Sequence, residues 1–232
     1  MTKVMRLASL YSGGKDSTYS IFKVKQMGHD VLCLITMHPC PDDSLLFHIP
    51  NLCLTKYLAD AMQIPAIEFT VNGSSKEAEF DALEKAIIWA KSNYNIEGIV
   101  HGGISSKFQK DIFERICSKN HLESVAPLWN VQPSQYMYRL LDNNFNIKIV
   151  GVSAMGLDRH WLGRSLDRVL MGQLEYFSKK FGFNLTFEGG EAETLVVDCP
   201  IFRKKLRIKK ANTLWDGQRG IFEILEAELV LK

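Results

Sequence analysis

Apolar residues recur along the first half of the chain in two alternating rhythms. Residues 7–11 form a short apolar run, and Ile21, Val24 and Met27 follow at helical spacing, in a helix that Ser17 is placed to cap and Gly28 to stop. Residues 31–35 are again wholly apolar, the length of a strand buried on both faces. A polar, proline-bearing loop over 38–50 leads to a helix over 52–62, a strand over 65–71 and a charged helix over 76–92. Residues 98–100 predict a fourth strand, and 106–119 a further helix. Strands alternating with helices imply right-handed crossovers and a parallel sheet covered on both faces.

The rhythm breaks at Ala126-Pro127-Leu128-Trp129, which marks a boundary near residue 125. Beyond it the pattern predicts a helix over 134–141, a strand over 147–154, a helix centred on Val169 and another over 174–181. The end is β-rich, with runs at 195–197, 206–208 and 221–231. The expected fold is therefore α/β: a doubly wound parallel sheet over residues 1–125, then a second, smaller α+β domain over 126–232. There is no internal repeat and no low-complexity segment.

Composition narrows the class without naming it. A chain of 232 residues, 46% hydrophobic and 23% charged, has an ordinary globular balance. Its formal charge of +2 is too small to argue for a nucleic-acid or anionic-membrane partner. Met1-Thr2-Lys3 runs straight into a strand, so no signal peptide is expected, and the apolar runs fall short of a membrane span. The five cysteines are widely spaced with no C-x-x-C pair, which suggests reduced thiols and a cytoplasmic protein.

The densest chemistry lies in Ser12-Gly13-Gly14-Lys15-Asp16-Ser17, between the first strand and the first helix. Paired glycines let the backbone bend and bring N–H groups close to an anion. The helix behind them adds unpaired N–H groups and the positive end of its dipole, and Lys15 adds a full charge. The usual G-x-x-x-x-G-K-[ST] loop is longer and places a hydroxyl after the lysine, where this chain has Asp16. The string instead resembles the pyrophosphate-binding loop of the ATP pyrophosphatases, which split ATP between its α and β phosphates. Parallel sheets bind ligands at the carboxyl ends of their strands. Gly13-Gly14, Ile35 to His38 and Gly102-Gly103 fall at such ends, so one nucleotide could touch all three.

A second polar motif, Glu188-Gly189-Gly190-Glu191-Ala192-Glu193-Thr194, precedes the apolar run at 195–197. Carboxylates this close repel, so they either point into solvent as an acidic hairpin or hold a cation. The glycines permit close approach of the backbone to a ligand. Other clusters are weaker. His38, Cys40, His48 and Cys53 match no structural zinc spacing. The basic run over 203–210 faces a partner or is a solvated strand face.

The stretch from Glu188 to Pro200, EGGEAETLVVDCP, resembles the C-terminal signature of the diphthine–ammonia ligases, a branch of the ATP pyrophosphatases. Phe47-His48-Ile49-Pro50-Asn51, the Gly102 to Glu114 stretch with Ile104, Ser106, Gln109 and Glu114 in register, Gly156-Leu157-Asp158 and Leu162-Gly163-Arg164 are similar too, so the resemblance spans the chain. Ile112 stands where the family pattern has an arginine, and Pro41 near an expected asparagine. The single-unit length resembles the archaeal form.

The resemblance implies amidation of the diphthine carboxylate on translation elongation factor 2, with ATP and Mg²⁺, through an acyl adenylate, releasing AMP and pyrophosphate. Free ammonium would be the nitrogen source. It implies that Ser12, Gly13, Gly14, Lys15, Asp16 and Ser17 hold the phosphates, with Asp16 as metal ligand or helix cap. Ile35, Met37, Gly102 and Gly103 would border the nucleotide, although Ile35 and Met37 also read as core residues. Lys15, Asp16 and Glu191 would be catalytic. His48, Gln109, Glu188, Gly189, Gly190, Glu191, Glu193 and Thr194 would meet the substrate, His48 being equally a loop-packing residue. Trp129 and Trp161 are aromatic candidates for the quaternary ammonium, or ordinary packing. The oligomeric state stays open, a homodimer being compatible. Two other classes remain: a tRNA-modifying ATP pyrophosphatase and a nucleotide-binding protein without chemistry.

Overall fold

The computed structural model describes residues 3–38, 51–73 and 75–232. Five short segments form a parallel sheet: β1 (Arg6–Leu10), β2 (Asp30–His38), β3 (Ala66–Thr70), β4 (Gly98–Val100) and β5 (Glu123–Val125), in the order β3-β2-β1-β4-β5. Successive strand residues face opposite ways. Leu7 and Leu34 therefore join one core, while Ala8, Cys33 and Ile35 join another. Helices α1 (Lys15–Gln26) and α2 (Thr55–Met62) cover the first face through Ile21, Val24 and Leu58. Helices α3 (Lys76–Tyr94) and α4 (Lys107–Lys119) cover the second through Leu83, Ile87 and Phe113. The strand order reverses at β1 and β4, which opens a crevice at their carboxyl ends.

The second half adds α5 (Pro133–Asp142), β6 (Asn146–Val152), α6 (Arg168–Phe181) and β7 (Ala192–Asp198), then the long hairpin β8 (Lys204–Trp215) and β9 (Gly220–Leu231). Its strands form an antiparallel sheet in the order β7-β6-β9-β8. The core under α1 and α2 continues into this sheet through Ile147, Leu195 and Val196.

Several local expectations are corrected. Gly14, not Ser17, is the N-cap of α1, and Ser17 lies inside the first turn. Met27 caps the end of that helix and is 54% exposed, because the apolar stripe ends with Val24. The two helices expected around Val169 and over 174–181 are one. Asp167 caps its start, Gly182 its end, and Leu170, Met171 and Leu174 form a continuous buried stripe that carries the helix through Gly172. The strand β5 went unpredicted because Glu123 and Ser124 break any apolar run. No helix among the described residues is long and apolar enough to cross a membrane.

Candidate functional site

A cavity of about 220 Å³ opens where β1, β2 and β4 end. Its floor comes from the sheet, through Leu10, Ile35 and Met37. Ser12, Asp16 and Ser17 of the glycine loop form one wall, and Gly102, Gly103, Gln109 and Phe113 another. The remaining wall comes from the second half of the chain: Phe187, Glu188 and Glu193.

The loop is held by short-range hydroxyl chemistry. The Ser12 and Ser17 hydroxyls lie 3.0 Å apart, and the Gly14 N–H donates to Ser12 Oγ at 3.3 Å. Gly13 turns at φ +79°, where a Cβ would also come within 2.9 Å of Leu58 Cδ1. The N-cap of α1 is Gly14, which has no side chain to bond the helix's first N–H groups, and a helix start of this kind suits an anion. The loop is also tied to β7: the Lys15 N–H donates to Thr194 Oγ1 at 3.2 Å, and the Val196 N–H to the Gly13 carbonyl at 2.9 Å. Gly102 lets the β4–α4 loop lie directly on this turn, since a Cβ there would meet the Asp16 carbonyl carbon and Ser17 N at 2.8 Å.

Lys15 is 2% exposed and lies behind the cavity wall without lining it. Its ammonium donates to Asp16 Oδ2 at 2.9 Å and to the Thr186 carbonyl at 2.5 Å, and lies 5.3 Å from the centre of the Phe187 ring. Asp16 Oδ1 accepts from the Tyr136 hydroxyl of α5 at 2.6 Å. Burial, reinforced by the Asp16 charge, pushes the Tyr136 phenol well above its ordinary value, so it remains a donor.

The three carboxylates of the acidic motif have separate duties. Glu188 Oε1 accepts from the N–H groups of Ile104, Ser105 and Ser106 at 2.9, 2.7 and 3.1 Å, and Oε2 from the Ser105 hydroxyl. Burial alone would raise its pKa, but these donors outweigh burial and hold it below the ordinary carboxylate value. Glu191 closes its own turn, accepting from the N–H groups of Asn184 at 2.9 Å and Gly189 at 2.8 Å. Glu193 lines the cavity. Burial raises its carboxyl to about 7; Lys15 opposes that rise, while Asp16 and Glu191 add to it.

The structure thus gathers Ser12, Asp16, Ser17, Ile35, Met37, Gly102, Gly103, Gln109, Glu188 and Glu193 around one cavity. Gly13, Gly14, Lys15, Gly189, Gly190, Glu191 and Thr194 support it from behind without lining it. His48 lies outside the described residues, as do Cys40 and Pro41. The face of Trp129 is covered by the Lys110 ammonium, 4.5 Å from the ring centre, and Trp161 is buried edge-on against Phe177.

Sequence reasoning missed Leu10, Tyr11, His101, Ile104, Phe113 and Phe187 as cavity residues. Phe113 sits four residues after Gln109, one helical turn, so spacing could have found it. His101 directly precedes the glycine pair. It is 2% exposed, and burial, with Lys110 adding, lowers its pKa to about 4. The neutral ring accepts from the Gly103 N–H through Nδ1 at 3.2 Å. Phe187 gave no local signal.

Family models described as the N-terminal and C-terminal domains of diphthamide synthase match residues 5–124 and 132–230. The chain is similar to the diphthine–ammonia ligase of Bos taurus, at 31% identity over 90% of this chain and 85% of the relative, and to that of Homo sapiens at 30% with the same coverage. The Schizosaccharomyces pombe ligase is 29% identical, over 87% of this chain but 36% of the relative. Among solved structures, a predicted subunit of tRNA methyltransferase from Methanocaldococcus jannaschii is similar at a TM-score of 0.46 and 16% identity, over 85% of this chain and 98% of that one, too loosely to bear on function.

Proposed function

The chain belongs to the diphthamide synthase family, the ATP-dependent diphthine–ammonia ligases, and from that premise we propose that it activates the diphthine carboxylate of elongation factor 2 as an acyl adenylate and passes it to ammonia. The observation that carries this reading is the meeting of the glycine loop with the acidic motif around a single cavity. An anion-binding turn and a cation-binding carboxylate there face the same space, as a reaction joining a nucleotide to a cationic substrate needs.

The residues present suit ATP. Leu10, Ile35 and Met37 offer an apolar floor for a base, while Ser12, Ser17 and the uncapped start of α1 offer donors for phosphate oxygens. In the proposed first step a diphthine carboxylate oxygen bonds to the α-phosphorus, and the bond to the β-phosphate oxygen breaks. Charge develops on the departing pyrophosphate, and Lys15, which belongs to the glycine loop, would supply the balancing positive charge. In the second step ammonia bonds to the acyl carbon, AMP leaves with the bonding pair, and nitrogen sheds a proton. Glu193 receives the cationic group, ammonium or trimethylammonium, with a carboxyl whose affinity for a proton is balanced near neutrality. Glu188 orients the wall built on Gly102-Gly103 by gripping Ile104 to Ser106. Asp16 keeps lone pairs beyond its bonds to Tyr136 and Lys15, and it would hold Mg²⁺, directly or through water, to screen the phosphate charge.

We assign ATP handling to residues 1–125 and substrate recognition to 126–232. The unpaired, buried Cys33, Cys117 and Cys199 suit a reducing compartment, and we place the enzyme in the cytoplasm. The test mixes the protein with ATP, Mg²⁺, ammonium and elongation factor 2 bearing diphthine, and follows AMP, pyrophosphate and amide together. Formation of ADP, or AMP release indifferent to the elongation factor, sinks the reading.

A further inference from the structure

Phe187 adopts a left-handed backbone at φ +62°. The other non-glycine residues in that region, among those described, are asparagines, a glutamine and a histidine, side chains that tolerate it better than a bulky aromatic. Three residues on, the same turn uses a glycine at φ +81°. The Phe187 conformation is locked from both sides: its N–H donates to the Asn184 carbonyl at 2.9 Å, and its carbonyl accepts from the Gly190 N–H at 3.2 Å. Such strain persists where a side chain is needed in one place. The Phe187 ring is 5% exposed, walls the nucleotide cavity and presents its face to the Lys15 ammonium at 5.3 Å.

We propose that Phe187 is a positioning residue for Lys15, its ring holding the ammonium at the edge of the nucleotide cavity. The ammonium has two polar partners, Asp16 Oδ2 and the Thr186 carbonyl, and its remaining side meets the negative face of the ring. An aliphatic side chain would fill the same space without attracting the charge. A water-filled gap would let the four-carbon stem of the lysine sample other rotamers. The ring therefore keeps the Lys15 ammonium dry and paired beside the cavity wall. This inference rests on the reading of Lys15 as the group that meets departing pyrophosphate, but its geometry is testable without nucleotide.

The primary experiment is acetylation of the ligand-free protein by acetic anhydride. The rate at Lys15 is read by peptide mass spectrometry against the exposed Lys56 and Lys209 in the same sample. Phe187→Leu and Phe187→Gly are expected to raise the Lys15 rate about three- to tenfold, the worth of a partly desolvated cation–π contact, while Phe187→Tyr stays within about twofold of the parent. Phe187→Gly relieves the left-handed turn but empties a core position while Phe187→Leu keeps most of the volume, so melting curves accompany both and rates are compared at a temperature where each is folded. With ATP and diphthine substrate, Leu and Gly are expected to lower kcat by a similar factor while KM for ATP holds.

Unchanged Lys15 acetylation in both folded variants overturns the proposal. So does a rise in Gly alone, which would mean that bulk suffices, or a rise in KM with kcat intact. If the parent proves inactive on diphthine, the functional reading fails while the acetylation result still decides the role of Phe187.

Discussion

The glycine loop after β1 and the acidic turn before β7 are made of the same materials, a glycine pair among charged residues, and they use them in opposite ways. In the loop, the Ser12 and Ser17 hydroxyls bond each other, the N-cap Gly14 offers α1 no side chain, and one N–H at the helix start, that of Lys15, goes to the Thr194 hydroxyl. Its donors face a cavity that an anion can enter. In the acidic turn, backbone donors consume two of the three carboxylates: Glu188 grips Ile104 to Ser106, and Glu191 grips Asn184 and Gly189. Glu188 and Glu193 both line the cavity, and of the two it is Glu193 that these backbone donors do not hold. Charge density in a motif therefore does not measure its chemistry. What matters is how many of its charges the protein's own N–H groups leave over.

The largest test of this contrast is Lys15→Ala. Loss of the ammonium should lower release of AMP and pyrophosphate by about a hundredfold or more, the scale of removing one preorganised charge from a developing anion. Undiminished turnover would take the loop out of the mechanism. Next is Glu188→Ala, which strands three backbone N–H groups at the start of α4. It should destabilise the fold by about 2–3 kcal/mol, read as a drop in Tm of roughly 4–10 °C, and weaken ATP binding because Gly102-Gly103 lose their anchor. A variant with the Tm of the parent would break the view of Glu188 as a bracket.

Glu193→Gln and Glu191→Gln sharpen the comparison within the acidic turn. Glu193→Gln should cut amide formation about tenfold with Tm kept or raised, since a buried carboxylate is replaced by a neutral group. Glu191→Gln should instead lower Tm by roughly 2–6 °C, because an amide matches only one of its two backbone donors. The reverse pattern, with Glu191→Gln inactive at full stability, would restore Glu191 as the chemical carboxylate.

The smallest effect is on the dependence of stability on pH. The Glu193 carboxyl titrates near 7 in the folded protein against an ordinary 4.5. Its contribution is therefore fully present below 4.5 and is lost as pH rises through 7. His101 runs the other way. Its folded value of about 4 lies below an ordinary 6.5, so its contribution is present above 6.5 and is lost as pH falls through 4. The two oppose each other between about pH 4.5 and 6.5. Melting curves across that window should show Glu193→Gln gaining on the parent as pH rises and His101→Asn losing ground. Parallel curves for either variant would remove that group from the balance.

The parallel sheet, its strand ends and the glycine loop were legible in the chain because their causes are local. Apolar runs set the strands, spacing near 3.6 set the helices, and Gly13-Gly14 set the turn between β1 and α1. The helix stop at Gly28 follows from the freedom of that residue in the left-handed region. Local reasoning failed where a stripe ran through a weak position, as at Gly172, or where a strand was short and half polar, as at Glu123–Val125.

The site itself needed contacts between distant parts of the chain. Lys15 meets Thr186, Asp16 meets Tyr136, and Glu188 meets Ile104 to Ser106. No periodicity encodes those pairings, and none distinguishes three neighbouring glutamates by their partners. The chain alone determined that a glycine turn ahead of a helix and an acidic turn exist. Only the packing of the second sheet against α1 decided that they share a cavity, which carboxylate remains free within it, and that the face of Phe187 receives the lysine. Hydrogen-bond donors and desolvation act on groups brought together in space, whatever their separation along the chain.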